Sequence, residues 1–321
     1  PPPPHPPPPP PDPHTLELSS AASDVYKRQL LPVYMLVLEL TLFRFRNQHK
    51  EPDKAIITFF SIVVAVPACF SLMYLSTHMA EFLAGYDFRD FTLTERLLTE
   101  ARVLVFYLKM ILIPSTTELG LYHDDISISR SLLDPPTTLY SLVLLAGLVT
   151  AAILLLRKRP LISMGILWFF AGHILESTIV PLEIAHEHRN YLAGFGIILA
   201  LSSAVTEAPL ARLGGVIRTA TPLILMIMLS HSTWLRAGQW SDNANHAIYE
   251  AEHHPESLRA VYAAGRIHAR LALAGHTDSI EKAYDYLERA SALGKGSIMP
   301  DVVMIKLGYL LNTPVEMAWF N

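Results

Sequence analysis

The sequence predicts an all-α protein, in which a polytopic bundle of transmembrane helices is followed by a small helical domain. Hydrophobic residues make up 51% of the 321 residues and charged residues only 17%, against about 25% charged residues in average soluble domains. The mean hydropathy is +0.31. The apolar residues also occur in blocks long enough to span a bilayer, whereas the segment after Leu235 is polar and rich in Ala, His and Glu.

Charge and cysteine content exclude several classes of function. The chain has 25 Lys+Arg and 29 Asp+Glu residues, a formal charge of −4, so no basic excess indicates a nucleic-acid partner. The single cysteine, Cys69, excludes an intrachain disulfide, a cysteine zinc cluster and an iron–sulfur site. No cofactor is predicted firmly, and a divalent cation is left open.

Residues 1–29 are expected to lie outside the fold. The tract PPPPHPPPPPPDPH can form an extended helix but no core. The stretch SSAASDVYKRQ, Ser19 to Gln29, resembles a translated sequencing adapter, with a genuine flexible linker as the alternative. We expect the natural chain to begin near Leu30, inside a longer protein.

About six segments between residues 30 and 234 approach the length of a spanning helix, which is about 20 mainly apolar residues. The three clearest are Ala55–Leu75, Leu139–Leu156 and Leu161–Leu182. Three shorter ones are Leu30–Phe43, Tyr191–Val205 and Thr219–Trp234. Buried helices of a soluble protein would not explain several charge-free runs of this length.

The basic residues between these segments predict the orientation, because Lys and Arg are retained on the cytoplasmic side. The basic clusters are Arg44, Arg46, Lys50 and Lys54; Arg157, Lys158 and Arg159; and Arg212 with Arg218. The acidic loops 76–100 and 115–138 should face outward. We therefore expect a multi-pass protein of a bacterial inner membrane, with residues 235–321 in the periplasm.

One helix near residues 94–113 is expected to lie along the outer membrane surface. Its apolar residues follow the 3.6-residue period of one helical face: Leu97, Leu98, Ala101, Leu104, Val105, Leu108, Ile111 and Leu112. Glu95, Arg96, Glu100, Arg102 and Lys109 are too many charges for a span. Thr94 offers a capped start. Arg102 and Lys109 would meet anionic lipid heads or extend toward water.

The segment 235–321 is expected to form a small helical domain with one tetratricopeptide-like unit. Val261, Gly265 and His268 have the spacing of the first helix of such a repeat, and Ala283, Leu287 and Ala290 have that of the second. The connection near Gly275–Ser279 is longer than the repeat allows. A helical domain of no named type is therefore the alternative.

The strongest candidate site lies in ESTIVPLEIAHEHRNY, Glu176–Tyr191, because so many polar residues at the end of a span are costly without a purpose. Glu183, His186 and Glu187 would share a helical face with the spacing of metal ligands, and Arg189 suits a phosphate. A substrate or headgroup contact, a structural cap of the span and a metal site all remain open, and no metal ligand is committed.

Two further positions could carry chemistry. Tyr122 is followed by His123, Asp124 and Asp125 in an outer loop, where paired acids beside a histidine position a cation, act as a base or simply form a turn. Glu39 is a carboxylate inside the first apolar segment, which is a functional candidate by default.

The segment Trp168–Gly196, WFFAGHILESTIVPLEIAHEHRNYLAGFG, resembles the late membrane segment of polytopic GT-C glycosyltransferases, above all of tetratricopeptide-bearing protein O-mannosyltransferase-like proteins and their bacterial relatives. These proteins have a late span, an outward loop with Glu-Arg-x-x-Tyr-Leu-Pro, another span and then extracytoplasmic repeats. Glu187, Tyr191 and Leu192 match that spacing. His188 replaces the family's arginine, with Arg189 one residue later, and Ala193 replaces its proline.

The resemblance implies transfer of a sugar from a polyprenyl-phosphate carrier to an acceptor, most naturally a protein, outside the membrane. The family's catalytic acid belongs to an N-terminal outward loop that this chain lacks, so its catalytic residues are unknown and the fragment alone should be inactive. The resemblance assigns the lipid phosphate to Glu183, Glu187, His188, Arg189 and Tyr191. It assigns an outward cavity to His123, Asp124, Asp125 and Glu176.

Two alternatives stay open. A non-catalytic membrane scaffold would use its helical repeats to bind protein partners and its spans as an anchor in membrane lipid. A polymerase or ligase of lipid-linked glycans would also be polytopic, with an arginine in an outer loop.

Overall fold

The computed structural model describes residues 29–87, 89–207, 215–294, 297–312 and 319. The expectation for the first 28 residues lies outside that range, as does Arg212, and the side chain of Arg218 is not described either. Helices make up 72% of the described residues, and no β-strand occurs among them. The predicted all-α class is confirmed.

Eleven α-helices occur in the described parts of the chain. In order they are α1 (Leu31–Leu38), α2 (Lys54–Ala84), α3 (Leu93–Leu112), α4 (Thr137–Leu155), α5 (Pro160–His173), α6 (Asn190–Glu207), α7 (Gly215–Gln239), α8 (Asn243–His253), α9 (Leu258–Leu273), α10 (Asp278–Leu293) and α11 (Met299–Leu311). A π-helical turn, Glu39–Phe43, extends α1, and a 3-10 turn, Glu187–Arg189, precedes α6.

Two of the described helices, α2 and α4, are long and apolar enough to cross a membrane by length and composition. Only 6% of the most apolar window of α2 and 22% of that of α4 is buried against the protein. The segment Leu31–Phe43 and α5 are apolar but shorter. Of the six predicted spans, two therefore have the required length and composition.

The predicted span Leu161–Leu182 is wrong in its second half, because α5 ends at His173. The chain then turns, and residues 174–186 form no helix. Pro181 has no N–H to continue a helical hydrogen-bond ladder. Three carbonyl groups of this segment instead accept hydrogen bonds from Arg96, which an analysis of local hydropathy cannot detect.

Helix α3 forms where it is predicted, but its start and its buried face differ. Thr92, not Thr94, is the N-cap, and it forms a capping box with Glu95. The buried face includes Arg96, Thr99, Glu100, Val103 and Tyr107. Leu97 and Leu112, assigned to the apolar face, are 43% and 48% exposed.

Helices α5 and α6 cross at glycines. A Cβ added to Gly165 would lie 2.2 Å from the carbonyl oxygen of Gly196, and one added to Gly196 would lie 2.3 Å from that of Gly165. A Cβ added to Gly172 would lie 2.7 Å from Cβ of Ala193. Small residues allow the two backbones to approach closely, which is the usual way that apolar helices associate in membranes.

The main core joins α3 to α4, α5 and α6. Val103 and Tyr107 of α3 pack with Leu145, Phe169 and Ala193. This core fixes α3 against the C-terminal end of α5 and the N-terminal end of α6, where the candidate site lies.

Helices α9 and α10 form an antiparallel pair, and the residues predicted for the tetratricopeptide-like unit lie at its buried interface. These residues are Val261, Gly265, His268, Ala283, Leu287 and Ala290. A Cβ at Gly265 would lie 2.9 Å from Cδ2 of Leu287, so only a small residue fits there.

Candidate functional site

The loop 174–189 is held in place by the buried side chain of Arg96. Its Nε donates to the carbonyl oxygen of Thr178 at 2.9 Å, Nη1 to that of Leu182 at 2.5 Å and Nη2 to that of Glu176 at 2.7 Å. Arg96 also forms a 2.8 Å ion pair with Glu100, and the two side chains are 0% and 2% exposed. Arg96 thereby satisfies backbone groups that would otherwise lack partners away from water.

Further contacts fix the middle and the C-terminal part of this loop. The hydroxyl of Tyr86 donates to the carbonyl of Ile179, and Nε of Arg89 donates to that of Pro181 at 3.1 Å. Tyr107 donates its hydroxyl to the carbonyl of His186 and accepts the N–H of the same residue, at 3.1 Å and 2.7 Å. The loop backbone is therefore preorganised by helix α3 and the segment before it.

Burial changes the proton affinity of the groups that hold the loop. Loss of hydration raises the pKa of Glu100 to about 7, although the charge of Arg96 opposes this shift. Burial also raises the pKa of Tyr107 to about 12, so its hydroxyl stays protonated at neutral pH and remains a donor to His186.

Arg189, the predicted phosphate-binding residue, is buried at 8% exposure. Its Nη1 donates to the carbonyl of Glu183 at 2.8 Å, and its Nε lies 3.4 Å from Oε2 of Glu176. Arg189 thus combines a fixed position with a positive charge that Glu176 neutralises.

A narrow pocket adjoins the Arg189–Glu176 pair. Its lining is Leu30, Tyr34, Gly172, Leu175, Glu176, Arg189 and Leu192. Its volume is about 10 Å³, roughly the space that one water molecule needs. Apolar side chains surround one guanidinium and one carboxylate in this pocket.

Glu187 connects this loop to residues 115–135. Its Oε1 accepts the N–H of Gly120 at 2.6 Å and lies 3.3 Å from Nε2 of His123. Glu187 and His123, predicted for the phosphate site and the outward cavity, are therefore neighbours. His123 is only 6% exposed, so it does not line an open cavity.

The next two residues of the predicted outward cavity, Asp124 and Asp125, contact the helical domain. Asp124 accepts the Oγ–H of Ser257 at 2.5 Å and the N–H of Arg259 at 3.2 Å. Asp125 Oδ2 lies 2.8 Å from Nδ1 of His254. These carboxylates connect loop 115–135 to the helical domain.

Opposite charges explain the pKa shifts in this contact. Burial raises the pKa of Asp125, but the hydrogen bond and charge of His254 outweigh it, so the net pKa is below the ordinary value. The same hydrogen bond raises the pKa of His254. Both shifts favour the charged pair at neutral and mildly acidic pH.

Glu183 and His186 do not share a helical face with Glu187, because residues 183–186 are not helical. Glu183 forms a 2.7 Å ion pair with Arg259. The Nδ1 atoms of His186 and His188 lie 3.0 Å apart. At this distance one Nδ1 carries a proton and donates it in a hydrogen bond to the other. The metal-ligand spacing read from the sequence is therefore lost, and no group of three His, Cys, Asp or Glu suited to a metal occurs in the part of the chain described.

The remaining predicted residues fall outside the pocket. Tyr191 is 84% exposed and does not line it. Arg102 and Lys109, which were expected to meet lipid or water, contact the 115–135 segment: Arg102 donates to the carbonyl of Ser127 at 2.7 Å, and Lys109 pairs with Glu118 at 2.6 Å.

Sequence analysis did not find Glu250, a carboxylate 1% exposed at the domain contact. It accepts the N–H of Leu121 at 2.7 Å, and Arg236 and His246 each lie 4.0 Å from it. No local pattern marks this residue. The Arg96–Glu100 ion pair, by contrast, is visible in the sequence, because opposite charges at positions i and i+4 of a helix predict an ion pair.

No protein-family model matches this chain, and no curated protein or solved structure is significantly similar to it. The resemblance to GT-C glycosyltransferases thus depends on Trp168–Gly196 and on the order of the segments.

Proposed function

We propose that this chain is part of a polytopic membrane glycosyltransferase that moves a sugar from a polyprenyl-phosphate carrier to an acceptor outside the cytoplasmic membrane. The observation that carries the proposal is the position of Arg189. It is a buried guanidinium beside a leucine-lined pocket at the end of apolar helices. A carrier of this class combines the same two features, an apolar chain and a phosphate.

The proposed membrane arrangement has α3 along the outer surface, with six segments crossing: Leu31–Phe43, α2, α4, α5, α6 and α7. Contacts among three outward regions support it. Loop 174–189 contacts α3 and the residues before it, and loop 115–135 contacts both loop 174–189 and the helical domain. The basic residues 44–54 and 157–159 occupy the connections at the opposite ends of the spans.

Arg189 would hold the carrier phosphate through its planar fork of donors, a geometry that lysine lacks. In the present conformation Glu176 neutralises this charge and the pocket has room for about one water molecule. Binding therefore requires Glu176 to move away from Nε of Arg189. The carrier phosphate then takes the place of the Glu176 carboxylate as the anion beside Arg189. Glu187 and His123 would keep the neighbouring backbone in place.

The helical domain would position the acceptor. It is joined to the phosphate loop by the Arg259–Glu183 ion pair and to loop 115–135 by Asp124 and Asp125. An acceptor held by the repeats would thus stand on the outward side of Arg189. We route no step through a metal, and the catalytic acid is not assigned to this chain.

The rival proposal is a membrane-anchored scaffold without catalysis. The existing Arg189–Glu176 pair favours it, because a paired buried arginine can serve structure alone. The two proposals differ in how Arg189 responds to substitution in the presence of carrier.

Binding of undecaprenyl phosphate to the detergent-solubilised chain tests the proposal. Arg189→Lys should weaken binding roughly tenfold to hundredfold, since a charge-assisted contact contributes about 1.5–3 kcal/mol. Glu176→Gln should bind at least as tightly as wild type, because it removes the competing anion. Arg102→Lys is the matched control, a substitution outside the pocket, and should leave affinity unchanged. Wild-type affinity for Arg189→Lys, or no binding by the unmodified chain, would favour the scaffold.

A further inference from the structure

We propose that the opposite end of the molecule binds one anionic phospholipid of the cytoplasmic leaflet. Its acyl chain would lie in the groove between the α1 segment and the start of α2, and its phosphate would meet the basic turn, residues 44–54. The proposal rests on the membrane placement proposed above but not on glycosyl transfer.

The groove is an open apolar site. Its lining is Met35, Leu38, Glu39, Phe43, Ala55, Ile56, Phe59 and Phe60, and its volume is about 370 Å³. This lies within the approximate range of 300–1,000 Å³ that is usual for ligand sites. Phe43 and Phe59 are 58% and 53% exposed, so the groove faces the surroundings of the helices and is accessible to a lipid chain.

The turn beside the groove has a defined backbone. Arg46 and Pro52 form an antiparallel bridge, and the N–H of Asp53 donates to the carbonyl of Phe45 at 2.8 Å. Arg44, Phe45 and Lys50 have φ values of 59°, 54° and 64°, a left-handed conformation that is uncommon for residues other than glycine. Such conformations persist only where the surrounding structure imposes them.

Charge selects the kind of lipid. Arg44 follows the lining residue Phe43, and Lys54 precedes the lining residue Ala55. These two residues, with Arg46 and Lys50, are exposed and form no ion pair within the residues that the structure describes. A cluster of unpaired cations at the rim of an apolar groove complements a phosphate joined to an acyl chain.

The acidic groups of the turn do not cancel this cluster. The carboxylate of Glu39 accepts the N–H of Phe45 at 3.0 Å, which gives this intramembrane residue a structural role. Asp53 caps α2 by accepting the N–H groups of Ala55 and Ile56. Glu51 is the remaining acid between residues 44 and 54, so the turn has four cations against one carboxylate that caps no backbone N–H among the described residues.

Native mass spectrometry of the detergent-solubilised full chain tests the proposal with two probes, phosphatidylglycerol and phosphatidylcholine of identical acyl chains. One phosphatidylglycerol should bind saturably and more tightly than phosphatidylcholine. The double variant Arg44→Gln with Arg46→Gln should weaken the binding of phosphatidylglycerol roughly thirtyfold, equivalent to about 2 kcal/mol for two basic groups. Ala55→Trp, which fills the groove, should abolish the saturable site.

Matched controls separate this site from general surface charge and hydrophobicity. Arg157→Gln with Lys158→Gln removes two exposed cytoplasmic charges away from the groove, and Ala68→Trp adds the same ring elsewhere on α2; both should bind like wild type. Equal affinity for the two lipids, equal losses in test and control variants, or a dimer that covers the groove would overturn the proposal. Alkaline carbonate extraction checks membrane insertion separately. Release of the protein into the supernatant would contradict the proposed membrane placement itself.

Discussion

Nδ1 of His254 lies 2.8 Å from Oδ2 of Asp125 and joins segments 129 residues apart in the sequence. Asp125 belongs to the loop between α3 and α4, and His254 follows α8. A direct contact requires both residues to lie on the same side of any membrane that the intervening helices cross. The contact therefore constrains the topology independently of the distribution of Lys and Arg.

The first prediction tests this constraint with cysteine labelling of intact cells in a Cys69→Ser background. Cysteines at the exposed positions Ser131 and Glu288 should react with an impermeant maleimide. A cysteine at Lys158 should react only after lysis, because basic clusters are retained in the cytoplasm. Opposite accessibility of Ser131 and Glu288 would contradict the contact between loop 115–135 and the helical domain.

The second prediction concerns the pH dependence of docking. The hydrogen bond to Asp125 raises the pKa of His254 above the ordinary value of 6.5. The stabilisation that protonation provides is complete below pH 6.5 and is lost as the pH rises through the raised value. His254→Gln should therefore speed amide hydrogen exchange in residues 119–125 about fivefold at pH 6, or ~1 kcal/mol.

At pH 9 the difference between His254→Gln and wild type should be smaller than at pH 6, since the protonated fraction of the wild-type imidazole falls as the pH rises. His276→Gln is the control, because His276 is an exposed histidine of the same domain. A difference between His254→Gln and wild type that is the same at both pH values would show that His254 acts only through packing.

The third prediction concerns Arg96. Arg96→Met leaves the carbonyl groups of Glu176, Thr178 and Leu182 without their donor and removes the partner of Glu100. Breaking a buried pair costs about 3–5 kcal/mol, so Tm in detergent should fall markedly at pH 8. Arg130→Met, which breaks the exposed pair with Glu95, should change Tm little.

Protonation of Glu100 determines how the effect of Arg96→Met on Tm depends on pH. Burial raises its pKa from 4.5 to about 7, so the folded state holds the proton more tightly than the unfolded state. The contribution of Glu100 to stability is greatest below pH 4.5 and falls as the pH rises through 7. The loss of Tm in Arg96→Met should accordingly be smaller at pH 5 than at pH 8, and an equal loss at both would exclude an ionic role for Glu100.

The fourth prediction concerns the glycine crossing. Gly165→Ala and Gly196→Ala each place a methyl group far inside van der Waals contact with backbone, because the added Cβ would lie 2.2 Å and 2.3 Å from carbonyl oxygens. Both should lower Tm, through a cost of about 1–3 kcal/mol for overpacking. Gly147→Ala on α4 has nothing within 4 Å and should keep or raise Tm. Unchanged melting of the Gly165 variant would show that α5 and α6 separate easily.

Some elements follow from local sequence and some do not. Helix α4 and most of α2 are predicted because uninterrupted apolar residues and helical length are local properties. Helix α2, however, continues past its predicted end at Leu75 to Ala84, into the predicted loop 76–100. The end of α5 is not predicted, since it depends on Arg96, which lies about 80 residues earlier in the chain. The same reason explains the error on the buried face of α3, where Arg96 and Glu100 are buried because they neutralise each other and bind loop 174–189.

The candidate site divides in the same way. Arg189 and Glu187 are identified by their residue types at the end of a predicted span. Their partners, Glu176 and Gly120, are set by tertiary contacts. Glu250 is hidden for the same reason, since its acceptor role depends on Leu121, 129 residues away.

The binding of Arg96 to carbonyl oxygens has a consequence for how the loop can change over evolutionary time. A carbonyl oxygen is present at every position whatever the residue, so Arg96 holds the backbone at Glu176, Thr178 and Leu182 without reading their side chains. Substitutions at Thr178 and Leu182 can therefore accumulate while the loop keeps its path. Relatives with a different ligand would be expected to vary at these positions and to retain an arginine equivalent to Arg96.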